Sequence, residues 1–222
     1  MLYFYHPTNL NLRFEPAMQI AVAADTIHRS AFAAKPVPEG VEVIFVEEGD
    51  ELPDADLYID FCFEEKGDRF VCITTKPVLV NAVITVSEEL APNKIRFNGW
   101  PGFFERSLLE IASSNDYWTA ETVACLTRLN WPYKQVPDVA GMVAPRVIAM
   151  IINEAYFGLG DDLSTKAGID TAMKLGTNYP YGPFEWCEKI GTEKIYSLLK
   201  KLEATNSRYT PAPLLAKEVK TA

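Results

Sequence analysis

The first half of the chain alternates short apolar runs with polar breaks. The second half changes to a longer, helical period. Residues 19–25, 41–46, 56–63, 70–75, 78–83 and 94–98 are short, β-branched or aromatic, and bounded by Pro, Gly and Asp. That is the pattern of strands buried on both faces. Parallel neighbours need a crossover of about a dozen residues, and only residues 25–34 and 87–90 leave room for helix. The pattern therefore predicts a shortened α/β sheet.

From residue 102 the period lengthens. Residues 102–113 read as partly helical, and residues 119–129 form a helix stopped by Trp131-Pro132. Residues 133–136 read as a last strand. Residues 141–157 are the longest helix, with Val143, Val147, Ile148, Ile151, Ile152 and Ala155 as its packed stripe. Gly158 and Gly160 end it, Ser164 caps the next helix, and Gly176 closes that one in the left-handed conformation. A corner follows at residues 177–191. Pro183 suits the first position of a new helix, where its missing N–H costs nothing. Tyr179, Tyr181, Phe184 and Trp186 crowd the corner, and residues 193–202 form another helix. The domain boundary falls at residues 116–137, giving an α/β unit over 1–116 and a helical unit over 117–222.

Composition narrows the function classes. The chain has 222 residues, 48% hydrophobic and 23% charged, as globular proteins have. Its formal net charge of −9 and lack of clustered Lys and Arg argue against nucleic acid and anionic membranes as partners. No apolar run approaches the roughly 20 residues that span a bilayer. Residues 1–17 lack the basic and apolar regions of a secretory signal, so the expected location is the cytoplasm. Cys62, Cys72, Cys125 and Cys187 form no CxxC pair, and His6 and His28 are the only histidines. Reduced buried thiols are expected, and the spacing offers no zinc set. Neither histidine has a partner at catalytic-triad spacing.

Three segments carry a resemblance. They are IDTAMKLG with YPYGPFE (within 169–185), VPDVAGMVAPRVIAMIINEA (136–155) and RYTPAPLLAKEV (208–219). In order and spacing they resemble the C-terminal domain of the 3-hydroxyacyl-CoA dehydrogenase family, over about residues 118–216. The resemblance implies a Rossmann-like first half and an all-α second half that supplies the dimer contact and part of an acyl-CoA pocket. It also implies NAD as cofactor and a His as catalytic base, oriented by a Glu.

The first half departs from that expectation. A dinucleotide fold needs G-x-G-x-x-G after its first strand. Here the strand runs into Ala23-Ala24-Asp25-Thr26-Ile27-His28, without glycine and with a carboxylate where phosphate would lie. Glu47 and Glu48 at the second strand's end suit either a ribose contact or an ordinary acidic strand end. The family's hydroxyl-bearing substrate contact falls among Ala82, Val83 and Ile84. Aligning Phe97-Asn98 with the family's "HFFNP" puts Ile95 at the base, with Glu105 or Glu110 as the orienting carboxylate. The family's Asn on the long helix becomes Pro145, followed by Arg146, which suits a surface salt bridge or an anion contact.

The expected site list is therefore short: no catalytic, cofactor or metal residue. Asn98, Glu110, Arg146, Tyr179, Tyr181, Pro183 and Phe184 are candidates for substrate or interface contact. Asp60 and Tyr58 could meet Glu105 and Glu110 in the inter-domain cleft. The expected function is an acyl-CoA-binding or docking homodimer without hydride transfer. An NAD-dependent enzyme with a rearranged cofactor site and a structural dimer module are the alternatives.

Overall fold

The structure, a computed structural model, describes residues 18–221; His6 lies outside that range. Seven strands form one sheet in the order β2-β1-β3-β4-β5-β6-β7. They are β1 (Met18–Ala23), β2 (Val41–Phe45), β3 (Leu57–Asp60), β4 (Val78–Asn81), β5 (Lys94–Phe97), β6 (Leu109–Ala112) and β7 (Tyr133–Gln135). All neighbours are parallel except β5 and β6. From β1 the chain passes through α1 (Thr26–Ala33) to β2 on one side, then returns to β3 on the other. That reversal makes the carboxyl ends of β1 and β3 the topological switch point of the sheet.

Alternate residues of each strand face opposite layers. Ile20, Val22, Leu57, Ile59, Leu79, Ile95 and Phe97 meet Phe32, Phe61, Phe104 and Trp131 on one face. Ala21, Ala23, Tyr58, Val78 and Val80 meet Phe70 on the other. A one-turn helix, α2 (Phe63–Lys66), follows β3, and α3 (Asp116–Arg128) covers the first face through Cys125 and Leu126. Both α3 and β7 lie beyond residue 116 yet belong to the sheet's layers.

The helical half comprises α4 (Ala144–Gly160), α5 (Lys166–Thr177), α6 (Pro183–Ile190), α7 (Thr192–Glu203) and α8 (Pro213–Thr221). Its core joins Ala149, Ile152 and Tyr156 of α4 to Trp186 of α6 and to Leu198 and Leu199 of α7. Trp100 and Phe103, from the loop after β5, insert into that core. Asn153 ties down the last segment: its amide donates to the Thr210 carbonyl and its oxygen accepts from the Ala212 N–H. No helix among the described residues is long and apolar enough to cross a membrane.

Several local expectations are corrected. Residues 70–75 are turns, because β3 pairs directly with β4 and leaves them no slot. The Phe70 carbonyl instead accepts from the Ile73 N–H and the Lys94 ammonium. Residues 109–112 are strand, not helix: Leu109 and Ile111 go into the core while the side chain of Glu110 stands on the other face. Val143, the N-cap of α4, and Val147 are exposed, and the buried stripe is Pro145, Ala149, Ile152, Asn153, Ala155 and Tyr156, which keeps Ile152 and Ala155 of the expected set. The helix also runs through Gly158 to Gly160. Thr165, not Ser164, caps α5, and Asn178 at φ 55° takes the left-handed position assigned to Gly176. Pro183 does open α6, as expected.

Candidate functional site

Where a dinucleotide's phosphates would lie, the chain supplies its own anion. Asp25 caps α1, its Oδ1 accepting from the His28 N–H at 2.8 Å and meeting His28 Nδ1 at 2.8 Å. Partial burial alone would raise this carboxyl, but the His28 amide and imidazole outweigh it and hold it below the usual carboxylate range. A helix N-terminus binds phosphate through free N–H groups and its positive dipole end. Here the Asp25 carboxylate already takes the His28 N–H and faces the dipole end, and each further negative charge about 4 Å away costs about 1–4 kcal/mol. These residues do not fit NAD. Glu47, the alternative ribose contact, pairs instead with Arg29 on the surface.

A second constellation lies at the carboxyl end of β5, on the same edge of the sheet. Asn98 is 2% exposed, and its Nδ2 donates to Glu110 Oε2 at 3.3 Å. Glu110 reaches across to the helical half, accepting from the Ala144 N–H at 3.0 Å and so capping α4, whose own N-cap, Val143, has no side-chain acceptor. Ile95 is packed in the sheet core, so the group hydrogen-bonded to this carboxylate is Asn98, three positions on. The strand's alternation decides this: Ile95 and Phe97 share the core face of β5.

Behind Asn98, Asn81 locks the loop, with its Oδ1 taking the Gly99 N–H and its Nδ2 donating to the Phe61 carbonyl. A cavity of about 200 Å³ opens beside the pair, lined by Asn98, Glu110, Phe103, Arg106, Leu108 and Ala144. Ser107 also lines it, so a buried amide, a carboxylate, a guanidinium and a hydroxyl face an apolar wall, which suits a polar carbonyl on an aliphatic chain.

The remaining candidates separate. Arg146 donates through Nε and Nη2 to the Ala140 carbonyl, at 3.2 and 2.7 Å, and lies over the Tyr209 ring. It thus fastens the first turn of α4. Phe184 and Pro183 are buried in the helical core, Tyr181 is half-buried, and Tyr179 is exposed. This corner reaches the Asn98 cavity through a relay: Tyr181 stands edge-on to Trp186 at 4.8 Å, and Trp186 stacks on the cavity residue Phe103 at 5.1 Å and lies under Arg106. Tyr58 and Asp60 do not join Glu110. Tyr58 bonds the Pro53 carbonyl, and Asp60 takes the Cys62 and Arg69 N–H groups, its carboxyl pushed up to about 6 by burial.

Sequence reading passed over two groups. Glu64 accepts from the Ile84 and Thr85 N–H groups at 2.6 and 2.9 Å, closing the loop after β4 with the chain's own carboxylate. Cys62 lies beside Asp25 and His28, which only the pairing of β1 with β3 reveals.

Comparisons with known proteins agree with this architecture. Residues 141–222 match the family described as 3-hydroxyacyl-CoA dehydrogenase, C-terminal domain. The 3-hydroxybutyryl-CoA dehydrogenase of Clostridioides difficile is 36% identical over 195 residues, 77% of this chain and 68% of that protein. The 3-hydroxyadipyl-CoA dehydrogenase of Escherichia coli is 39% identical over 106 residues, but these make up only 22% of that protein. Among solved structures, FadB2 of M. tuberculosis has a TM-score of 0.70 at 15% identity, covering 93% of this chain and 95% of that one. The (S)-3-hydroxybutyryl-CoA dehydrogenase PaaH1 of Ralstonia eutropha has a TM-score of 0.67 at 17% identity, covering 92% and 94%. Both share the Rossmann-like sheet and the helical region that follows it. By its 36% identity to the clostridial enzyme over 68% of that protein, and by fold, this chain belongs to the 3-hydroxyacyl-CoA dehydrogenase family.

Proposed function

We propose that the chain is an acyl-CoA-binding member of this family that does not transfer hydride. The observation that carries the reading is Asn98 opposite Glu110. In the family that carboxylate orients an imidazole, which removes the 3-hydroxyl proton as hydride leaves. An amide has no proton-accepting nitrogen near neutral pH, so the pair can hold a carbonyl or hydroxyl but cannot drive its oxidation. The Asp25 cap at the phosphate end supports the same conclusion from the cofactor's side.

What the site keeps is recognition. The cavity beside Asn98 offers one amide donor to an acyl oxygen and an apolar wall, Phe103 and Leu108, to an aliphatic chain. The proposed role is a binding or docking subunit in acyl-CoA metabolism. A homodimer built on the helical half goes with it. Val143 and Val147, one turn apart at the start of α4, are both exposed there and offer an apolar face to a partner.

Titration with acetoacetyl-CoA, followed by a turnover assay with NADH, tests the reading. Binding without reduction is expected. Measurable NADH-dependent reduction would overturn the loss of chemistry. Absence of binding would overturn the acyl-CoA role and leave a structural dimer module.

A further inference from the structure

The wall of the Asn98 cavity carries a charge that the fold leaves unmatched. Two ionisable side chains line it, Glu110 and Arg106. Glu110 is already engaged: it accepts from the Ala144 N–H through both oxygens, at 3.0 and 3.4 Å, and from Asn98 Nδ2 at 3.3 Å. It also faces the first turn of α4, whose dipole favours a carboxylate there. Arg106 has no such match. Its Nε donates to the Gly102 carbonyl at 3.2 Å, and its two Nη groups meet no carboxylate or other acceptor among the described residues.

The guanidinium is nevertheless held in place. It lies over the Phe103 ring at 4.4 Å and the Trp186 ring at 5.7 Å. Its backbone is pinned from below, where the buried Lys35 ammonium donates to the Arg106 carbonyl at 2.9 Å and to that of Phe104 at 3.1 Å. With Nε used, the Nη1–Nη2 edge is the free side of the fork, and such an edge takes a carboxylate by two parallel hydrogen bonds. A side chain ordered in advance loses little rotamer freedom when a ligand arrives. Lys189 adds a second cation. Its Cε lies 2.9 Å from where a Cβ on Gly102 would stand, its ammonium lies over the Tyr181 ring at 5.3 Å, and it forms no ion pair among the described residues. In a chain of net charge −9, two neighbouring cations without carboxylate partners make a local field that draws an anion.

The dimensions decide which anion. Asn98 and Arg106 line one cavity of about 200 Å³, so a ligand oxygen on the Asn98 amide and an anion on Arg106 belong to the same short chain. The phosphates of coenzyme A are separated from the thioester by the whole pantetheine arm and fall outside it. We propose that the site selects thioesters of short dicarboxylic acids. Asn98 donates to the acyl oxygen, Phe103 and Leu108 line the methylenes, and Arg106 takes the terminal carboxylate. This specificity rests on the acyl-CoA reading of the cavity and deepens it.

Calorimetry on the full-length protein compares glutaryl-CoA with hexanoyl-CoA, whose acyl chain has the same length in heavy atoms but no terminal charge. Glutaryl-CoA is expected to bind at least about tenfold more tightly, the value of a hydrogen bond to a charged group. Arg106→Gln keeps an amide over Phe103 and should bring glutaryl-CoA down to the affinity of hexanoyl-CoA. Arg106→Lys keeps the charge without the fork and should restore only part of the preference. Equal affinity of the two esters for the unaltered protein would overturn the specificity and leave the acyl-CoA reading standing. Equal weakening of both esters by Arg106→Gln would place the guanidinium on the coenzyme's phosphates and overturn it as well. Failure of both esters to bind would overturn the acyl-CoA reading, and the specificity with it.

Discussion

Replacing Arg96 with methionine should weaken the clasp that ties β5 and the loop after β4 to the connection entering α4. Arg96 is 0% exposed in β5. Its Nε donates to the Ala82 carbonyl at 2.9 Å, and its Nη2 to those of Val83 at 3.0 Å and Val139 at 3.2 Å. Its Nη1 pairs with Asp138, on the connection from β7 to α4. Methionine fills much of the same volume but donates nothing, so the Ala82 carbonyl loses Arg96 outright, and Val83, Val139 and Asp138 keep only the Gly141, Met142 and Ser87 N–H groups. Removing one partner of a buried ion pair costs about 3–5 kcal/mol, a large share of the about 5–15 kcal/mol that holds a domain folded. With a urea slope of about 3 kcal/mol/M, the unfolding midpoint should fall by about 1 M or more. Arg96→Met with Asp138→Leu removes the stranded charge as well and should recover part of the loss, as cycles on coupled pairs show. A midpoint shift below about 0.3 M, or a double variant no better than the single, would refute the clasp.

Other outcomes follow from single sites. Asn98→Ala should weaken acetoacetyl-CoA binding about tenfold, the value of one hydrogen bond near 1.5 kcal/mol; unchanged affinity in calorimetry would remove Asn98 from the site. Burial, and secondarily Asp56, pushes the Cys125 thiol up to about 11 from 9.0. A group neutral in the fold and ionised in the unfolded chain gives stability that is complete below pH 9 and lost as the pH rises through 11. That loss is about 2–3 kcal/mol, and Cys125→Ala should flatten it in urea curves taken across that range. A Cβ at Gly182 would lie 2.3 Å from Asp170 Oδ1 and 2.5 Å from its Cα. Gly182→Ala should therefore cost about 1–3 kcal/mol, read as a lower thermal midpoint; an unchanged midpoint would mean the corner yields freely.

Much of the fold was legible because burial on both faces leaves a plain signature. Residues 19–25, 41–46, 78–83 and 94–98 are short runs rich in β-branched and aromatic residues, and each holds most of a strand. Pro183 opened α6 where its fixed φ suits a helix start. Residues 70–75 had the same composition but no free partner, and strand pairing is a property of neighbours rather than of propensity. Residues 109–112 carry the two-residue alternation in only four positions, too few to distinguish from a helical turn. In the site, Asn98 and Glu110 were each visible singly. Their meeting depends on β5 and β6 running antiparallel, which places the Asn98 N–H on the Glu110 carbonyl. Asp25, His28 and Cys62 were missed for the same kind of reason, since no spacing rule joins a helix cap to a loop two strands later.

The central claim is that this family member has closed the place where its relatives would hold a dinucleotide. Calorimetric titration of the full chain with NADH tests it most directly. The Asp25 cap on α1 predicts no binding heat up to millimolar NADH. Saturable binding at micromolar concentration would contradict the account and return hydride transfer to the chain.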